Sequence, residues 1–326
     1  MDRTHSRGLP RLAILIAAWP ALFCACNLPQ PNAGPVAVQR SEWAFHGRPG
    51  VELTTQHYLI RTTCKSPTLL KAIPDFLESC WTAYAELLPS QTQPSEPLKT
   101  YLFQNRSEWE AFTEDFSPAR ADVYKKIRSG GYSERGTTVS HYSSISATLS
   151  ILAHEGFHQF LELTRGRNIP PWLNEGLACN FESFELDADN RPVFQPERNA
   201  LRRGHLAEAM GRNRLIPLKE ILETHAGEQV LKPSADVRGY YAQEWALVLF
   251  LRQSPLKNPY HDGFQELMRD LGTDAMARRA QSALTSDMLG KANNGEAVFR
   301  AYITTDYAKF EEDYKAFVRE LLNIPS

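Results

Sequence analysis

The chain has 326 residues, 42% of them hydrophobic, enough for one large globular domain or two lobes. Its 36 basic and 38 acidic residues leave a formal charge of −2 with no Lys/Arg block, so nucleic-acid binding has no electrostatic footing. There is no Gly-rich phosphate loop and no G-x-S-x-G elbow, which leaves serine-nucleophile chemistry without support.

Residues 1–26 read as a signal segment. Arg3, Arg7 and Arg11 form a positive start, and Leu12 to Phe23 is an apolar run too short to span a bilayer. Ala25-Cys26 resembles the end of a bacterial lipoprotein signal, which makes Cys26 the candidate lipidated residue. Ordinary cleavage nearby, leaving a secreted protein, is the alternative; both predict export to the cell envelope or beyond. No later stretch approaches transmembrane length, so any membrane attachment would be through Cys26. Residues 27–40 are rich in Pro, Ala and Asn and read as a linker, with the folded part starting near Ser41.

Val51 to Thr63 alternates as a strand should. Ser66-Pro67 then supplies an N-cap and first helical position for a run reaching Leu88, with Pro74 expected to kink or break it. Leu98 to Phe103 predicts a second strand, and Ser107 to Phe116 a short helix with Trp109 and Phe112 in the core. Gly130 to His141 is a glycine-broken hairpin or edge strand. Cys64 and Cys80 fall about 20 Å apart if a helix rises between them at ~1.5 Å per residue, which argues against a disulfide unless Pro74 folds the helix back.

Ser144 to Leu163 carries helical periodicity and contains Ala153-His154-Glu155-Gly156-Phe157-His158, an H-E-x-x-H pattern. Positions i and i+4 share one helix face, so His154 and His158 can grip one metal ion. Glu155 lies about 100° further round, within reach of water at the metal without being a ligand. Two histidines on a partly buried helix face, with a solvated Glu between them, is the other reading of these five residues. Gly166 is a plausible helix stop, and Ile169-Pro170-Pro171 forces an extended turn into a new helix. That helix opens Trp172-Leu173-Asn174-Glu175-Gly176-Leu177-Ala178, bringing the Glu175 carboxylate back towards the imidazoles as a third ligand. The C-terminal half reads helical over 196–210, 217–224, 237–253, 259–271 and 309–322. His141, His205, His225 and His261 have no ligand spacing to one another.

Together, H-E-x-x-H and the W-L-N-E-G-L-A segment resemble the gluzincins, the thermolysin-like and aminopeptidase N-like metallopeptidases, and most of all exported bacterial peptidase-MA-like proteins. The resemblance implies one zinc ion held by His154, His158 and Glu175, with Glu155 as general base on the zinc-activated water. It implies an α+β, zincin-like fold of two lobes, 41–165 with a small mixed sheet and 166–326 mostly helical. The substrate would be a peptide or protein, laid along an edge strand near residues 130–141. The G-x-M-E-N signature of aminopeptidase N-like enzymes is absent. Tyr241 aligns with the tyrosine of their Y-x-x-G segment, which donates to the oxyanion, although Glu244 stands in place of the glycine. The alternative is that Tyr240 and Tyr241 only anchor an amphipathic helix. Cys179 stands where thermolysin-like enzymes carry an Asp that steadies a ligand histidine, so that support has to come from elsewhere. Two other functions stay open: a non-catalytic zinc-scaffold binding protein, and a hydrolase of a non-peptide amide in cell-wall material.

Overall fold

The computed structural model describes residues 36–89, 94–127, 130–166, 168–189, 191–225, 227, 229, 236–288 and 294–324. Residues 1–26, read above as a signal segment ending at Cys26, lie outside these residues. Among the described residues, no helix is long and apolar enough to cross a membrane.

The architecture is α+β: a six-stranded mixed sheet with helices, followed by a mostly helical C-terminal region. The strands are β1 (Gln39–Phe45), β2 (Arg48–Thr54), β3 (Tyr58–Thr62), β4 (Leu98–Phe103), β5 (Gly131–Glu134) and β6 (Thr137–His141). They lie in the order β1-β2-β3-β4-β6-β5; β3, β4 and β6 are parallel, and the other pairs are antiparallel. Parallel neighbours need crossovers. The helix α1 (Pro67–Leu87) makes the first, from β3 to β4. The second, from β4 to β6, runs through α2 (Arg106–Phe116), α3 (Ala121–Tyr124) and β5. This leaves β5 on the sheet's edge.

Two expectations need correction, and at Pro74 one of two alternatives falls. The strand read over 51–63 is two strands, because the Glu78 carboxylate of α1 enters the bend between them. It accepts from the His57 backbone N–H (2.8 Å) and the Thr55 hydroxyl (2.5 Å). The linker expected over 27–40 reaches into β1, whose first residues are Gln39 and Arg40. Pro74 does not break α1. It is buried, and burial of Leu69, Ile73, Phe76 and Leu77 around it outweighs one lost backbone bond. Cys64 and Cys80 are buried free thiols.

Two further helices build the site. The first, α4 (Ile145–Arg165), starts on an N-cap where the Ser144 hydroxyl accepts from Ala147 N–H and stops at Gly166, φ +81°. Its inner face buries Leu149, Leu152, Phe157, Phe160 and Leu161. Each such side chain contributes about 1.5–3 kcal/mol when fully buried, which fixes the helix's rotation about its axis. The Tyr84 hydroxyl of α1 donates to the Ala153 carbonyl (2.6 Å). Gly156 makes room for it, since a Cβ there would lie 3.2 Å from that hydroxyl. Gln159 donates to the carbonyls of Lys99 (3.0 Å) and Gly136 (2.6 Å), tying α4 to β4 and to the β5–β6 turn. The second helix, α5 (Pro171–Cys179), is buried along most of its length.

The C-terminal region opens with a ribbon of β7 (Phe184–Leu186) and β8 (Pro192–Phe194), then a 3-10 turn at Pro196–Arg198. Its helices are α6 (Ala200–Gly211), α7 (Leu218–Glu223), α8 (Val237–Leu251), α9 (His261–Asp270), α10 (Asp274–Ser282), α11 (Gly295–Tyr302) and α12 (Tyr307–Leu322). The main apolar core is continuous from Leu53 on the sheet to Val318 on α12. A smaller cluster on the sheet's other face holds Phe45, Phe103, Trp109, Tyr132 and Val139, with Phe112 half-buried against it.

Candidate metal centre

His154 and His158, one turn apart on α4, turn their Nε2 atoms to a common point 3.1 Å apart. Glu175, on the second turn of α5, brings Oε2 to 3.4 Å from His154 Nε2 and 3.3 Å from His158 Nε2. Yet this carboxylate oxygen makes no aligned hydrogen bond to either ring.

The tautomers follow from the far side of each ring. His154 Nδ1 faces the Glu182 carboxylate (Oε1, 2.9 Å), and His158 Nδ1 faces Asn174 Oδ1 (2.8 Å). Both partners accept, so both Nδ1 atoms carry the proton and both neutral rings aim an Nε2 lone pair inward. Three acceptor atoms so close repel one another unless a proton or a cation lies between them. Zinc bonds nitrogen and oxygen at about 2.0–2.1 Å, and in a tetrahedron such ligands stand about 3.3–3.4 Å apart. Edges of 3.1, 3.3 and 3.4 Å fit that spacing. The buried group His154, His158 and Glu175 can therefore hold a metal ion. Its side chains retain 12, 14 and 15% exposure, while Glu175 Oε2 itself is buried.

The electrostatics agree. Burial would lower the His154 pKa, but contacts with Cys179, Glu175 and Glu182 outweigh it and hold the pKa well above its usual range. His158 is raised in the same way: burial opposes, and the Glu175 charge wins. Burial would raise Glu175, but the His158 charge and the close approach of both rings carry it far below the carboxylate range. Glu182 is pulled down likewise, chiefly by Arg202 and then His154. These shifts favour positive charge at the centre of the cluster.

Glu155 packs against the edge strand, where a Cβ on Gly131 would lie 3.2 Å from its Cγ. Its carboxylate makes no hydrogen bond among the described residues. Burial raises its pKa, opposed by His154 and His158, which moves it towards the range of a working base. The Thr138 hydroxyl of β6 lies 3.3 Å from both the Glu155 carbonyl and Gln159 Oε1, which holds the hairpin to α4 at this level.

Tyr241 on α8 sets its ring 6.3 Å, centroid to centroid, from that of His154. Among the described residues its hydroxyl makes no hydrogen bond. Tyr240 turns the other way, fully buried, and donates to the Thr224 carbonyl (2.9 Å). Gly176 lets α5 and α8 touch, since a Cβ there would lie 2.4 Å from Val248 Cγ2 and 2.6 Å from the Glu244 carbonyl. The Glu244 side chain is fully buried without an aligned hydrogen bond, and burial, then the Glu175 charge, drives its pKa well up.

Sequence reasoning missed Asn174, Glu182, Asn199 and Arg202. Asn174 orients His158, and Glu182 orients His154, the support that Cys179 could not give. The seven-residue interval from Glu175 to Glu182 was the available signal, but α5 ends at Cys179, so helical periodicity does not reach it. His154, Cys179 and Glu182 also lie within ligand reach of one another. This second group already has its cation in Arg202, and burial pushes the Cys179 thiol up to about 12, so it supports the first rather than holding another ion. His141 turns Nδ1 to the Tyr142 carbonyl (3.3 Å), and His261 turns Nδ1 to that of Gln253 (2.6 Å); neither joins the centre. Comparison of the chain with protein-family models, with curated proteins and with solved structures finds no match.

Proposed function

We propose that this chain is an exported zinc metallopeptidase of gluzincin type. The observation that carries the reading is the triangle of His154 Nε2, His158 Nε2 and Glu175 Oε2, with an uncommitted carboxylate, Glu155, on the same helix. Two imidazoles and one carboxylate suit zinc, and three protein ligands leave a position open, as hydrolytic sites do. Zinc bound there would lower the pKa of a coordinated water to near ~7 and polarise a substrate carbonyl.

The chain's own residues supply the rest. Glu155 takes the proton of the attacking water and returns it to the departing amine nitrogen. Tyr241, with its hydroxyl uncommitted and its ring beside His154, donates to the oxyanion of the tetrahedral intermediate. Glu182 and Asn174 keep both ligand rings turned with Nε2 inward. An extended peptide adds to the free edge of β5, the strand that the bare Gly131 lets pack close to Glu155.

The test is metal content beside hydrolysis of a peptide library. Wild type is expected to hold one zinc and to cleave. Glu155→Gln should hold zinc and lose cleavage, because it removes a base and no ligand, whereas Glu175→Gln should lose zinc. A protein that takes up no stoichiometric transition metal, even after zinc loading, sinks the proposal; a fully active Glu155→Gln removes Glu155 as the base.

A further inference from the structure

Arg202 stands between two members of the site that come from different helices. It lies in the first turn of α6, where the N-cap Asn199 accepts its backbone N–H through Oδ1 (3.1 Å). Asn199 Nδ2 also donates to Glu182 Oε2 (2.9 Å). Arg202 Nε donates to that same oxygen (2.8 Å), and its terminal nitrogen to the other. Glu182 in turn accepts from His154 Nδ1, so a rigid chain of bonds runs from α6 to a metal ligand. The same guanidinium lies over the Tyr241 ring, its carbon 5.1 Å from the centroid. With only 13% of its side chain exposed, Arg202 is held in one place from both directions.

We infer that Arg202 is a positioning residue that serves both halves of the centre, fixing His154 through Glu182 and the Tyr241 ring by direct contact. Arginine suits both tasks: its planar fork gives a carboxylate two bonds while its flat face remains free for an aromatic ring. Lysine keeps the charge and loses the fork and the face. Without the fork, Glu182 is free to turn and His154 loses its fixed ring angle. Without the face, the tyrosine ring loses the surface that sets its distance from the metal. The consequence for turnover rests on the metallopeptidase reading; the two structural links do not.

The experiment therefore measures each link without activity. Zinc affinity is read by competition with a chelating dye, and the Tyr241 environment by the ζ-carbon signal of ¹³C-labelled tyrosine, assigned with Tyr241→Phe. Arg202→Lys is expected to bind zinc about 10-fold more weakly or worse and to shift the Tyr241 signal. Glu182→Gln, which still accepts from Arg202, should weaken zinc binding and leave that signal in place. If Arg202→Lys does not fold, Arg202→Gln carries the same comparison. Zinc affinity and signal both unchanged in the Arg202 variant overturn the inference, and a change in only one overturns the shared anchor. A wild-type protein that binds zinc and cleaves no peptide removes the peptidase reading and leaves both measurements decisive.

Discussion

Adjacent tyrosines on α8 divide two tasks because neighbouring helix positions diverge by about 100°. Tyr240 spends its hydroxyl on the Thr224 carbonyl and packs in the core; Tyr241 keeps its hydroxyl and sets its ring beside His154. Tyr241→Phe removes only the hydroxyl and is expected to lower kcat and kcat/KM together by about 10²-fold, with substrate affinity and stability unchanged. Tyr240→Phe leaves a buried carbonyl unpaired and is expected to cost about 1–3 kcal/mol of stability while turnover stays at wild-type level. Steady-state kinetics and denaturation of both variants separate these outcomes. Activity lost on Tyr240→Phe and kept on Tyr241→Phe would move the oxyanion donor by one residue.

Between elements, the decisive contact is the crossing of α5 on α8 at Gly176. A methyl group there meets the Glu244 backbone and Val248, so Gly176→Ala must push the helices apart and carry Glu175 with them. Overpacking of this kind costs about 1–3 kcal/mol. It is expected to lower the melting temperature and to weaken zinc retention, although residue 176 touches no metal. Zinc affinity equal to wild type would show that α5 yields elsewhere. This crossing also marks how far the sequence could be read. The approach of His154 to His158 was legible because H-E-x-x-H needs only helix geometry, and that of Glu175 because a Pro-Pro turn announces the returning helix. Asn174, Glu182 and Arg202 act across tertiary contacts that no periodicity records. The first strand was missed because Gln39, Arg40, Ser41 and Glu42 are exposed, so β1 has little apolar alternation. The ribbon of β7 and β8 has three residues per strand, too few to show a period. Of the kink or break expected at Pro74, the break is overridden by the surrounding core.

On the scale of the whole molecule, the group of His154, His158 and Glu175 is a charge problem that a proton or a metal ion can solve, and pH tells the two apart. In the metal-free protein, the raised pKa values of His154 and His158 mean that the folded state binds protons more tightly than the unfolded chain. Their contribution is complete below the unfolded value of about 6.5 and is lost as pH rises through the folded values. Glu175 and Glu182, both depressed, act in reverse: their contribution is complete above about 4.3 and is lost as pH falls. Glu155 and Glu244, both raised, also release protons as pH rises, so metal-free protein should weaken with rising pH, and more steeply above about 6.5 where the imidazoles join, by at most about 1.4 kcal/mol per pH unit for each proton released. Zinc takes the place of the inward proton, so loaded protein should lose the imidazoles' share of this decline, and zinc affinity should climb with pH as fewer protons have to be displaced. Urea denaturation of chelated and zinc-loaded protein from pH 5 to 8.5 measures both curves. The expected result is a gap that widens with pH above 6.5. Metal-free stability that stays level or rises across that range would mean that no proton bridges the imidazoles and Glu175, and that the three side chains hold their positions by packing alone.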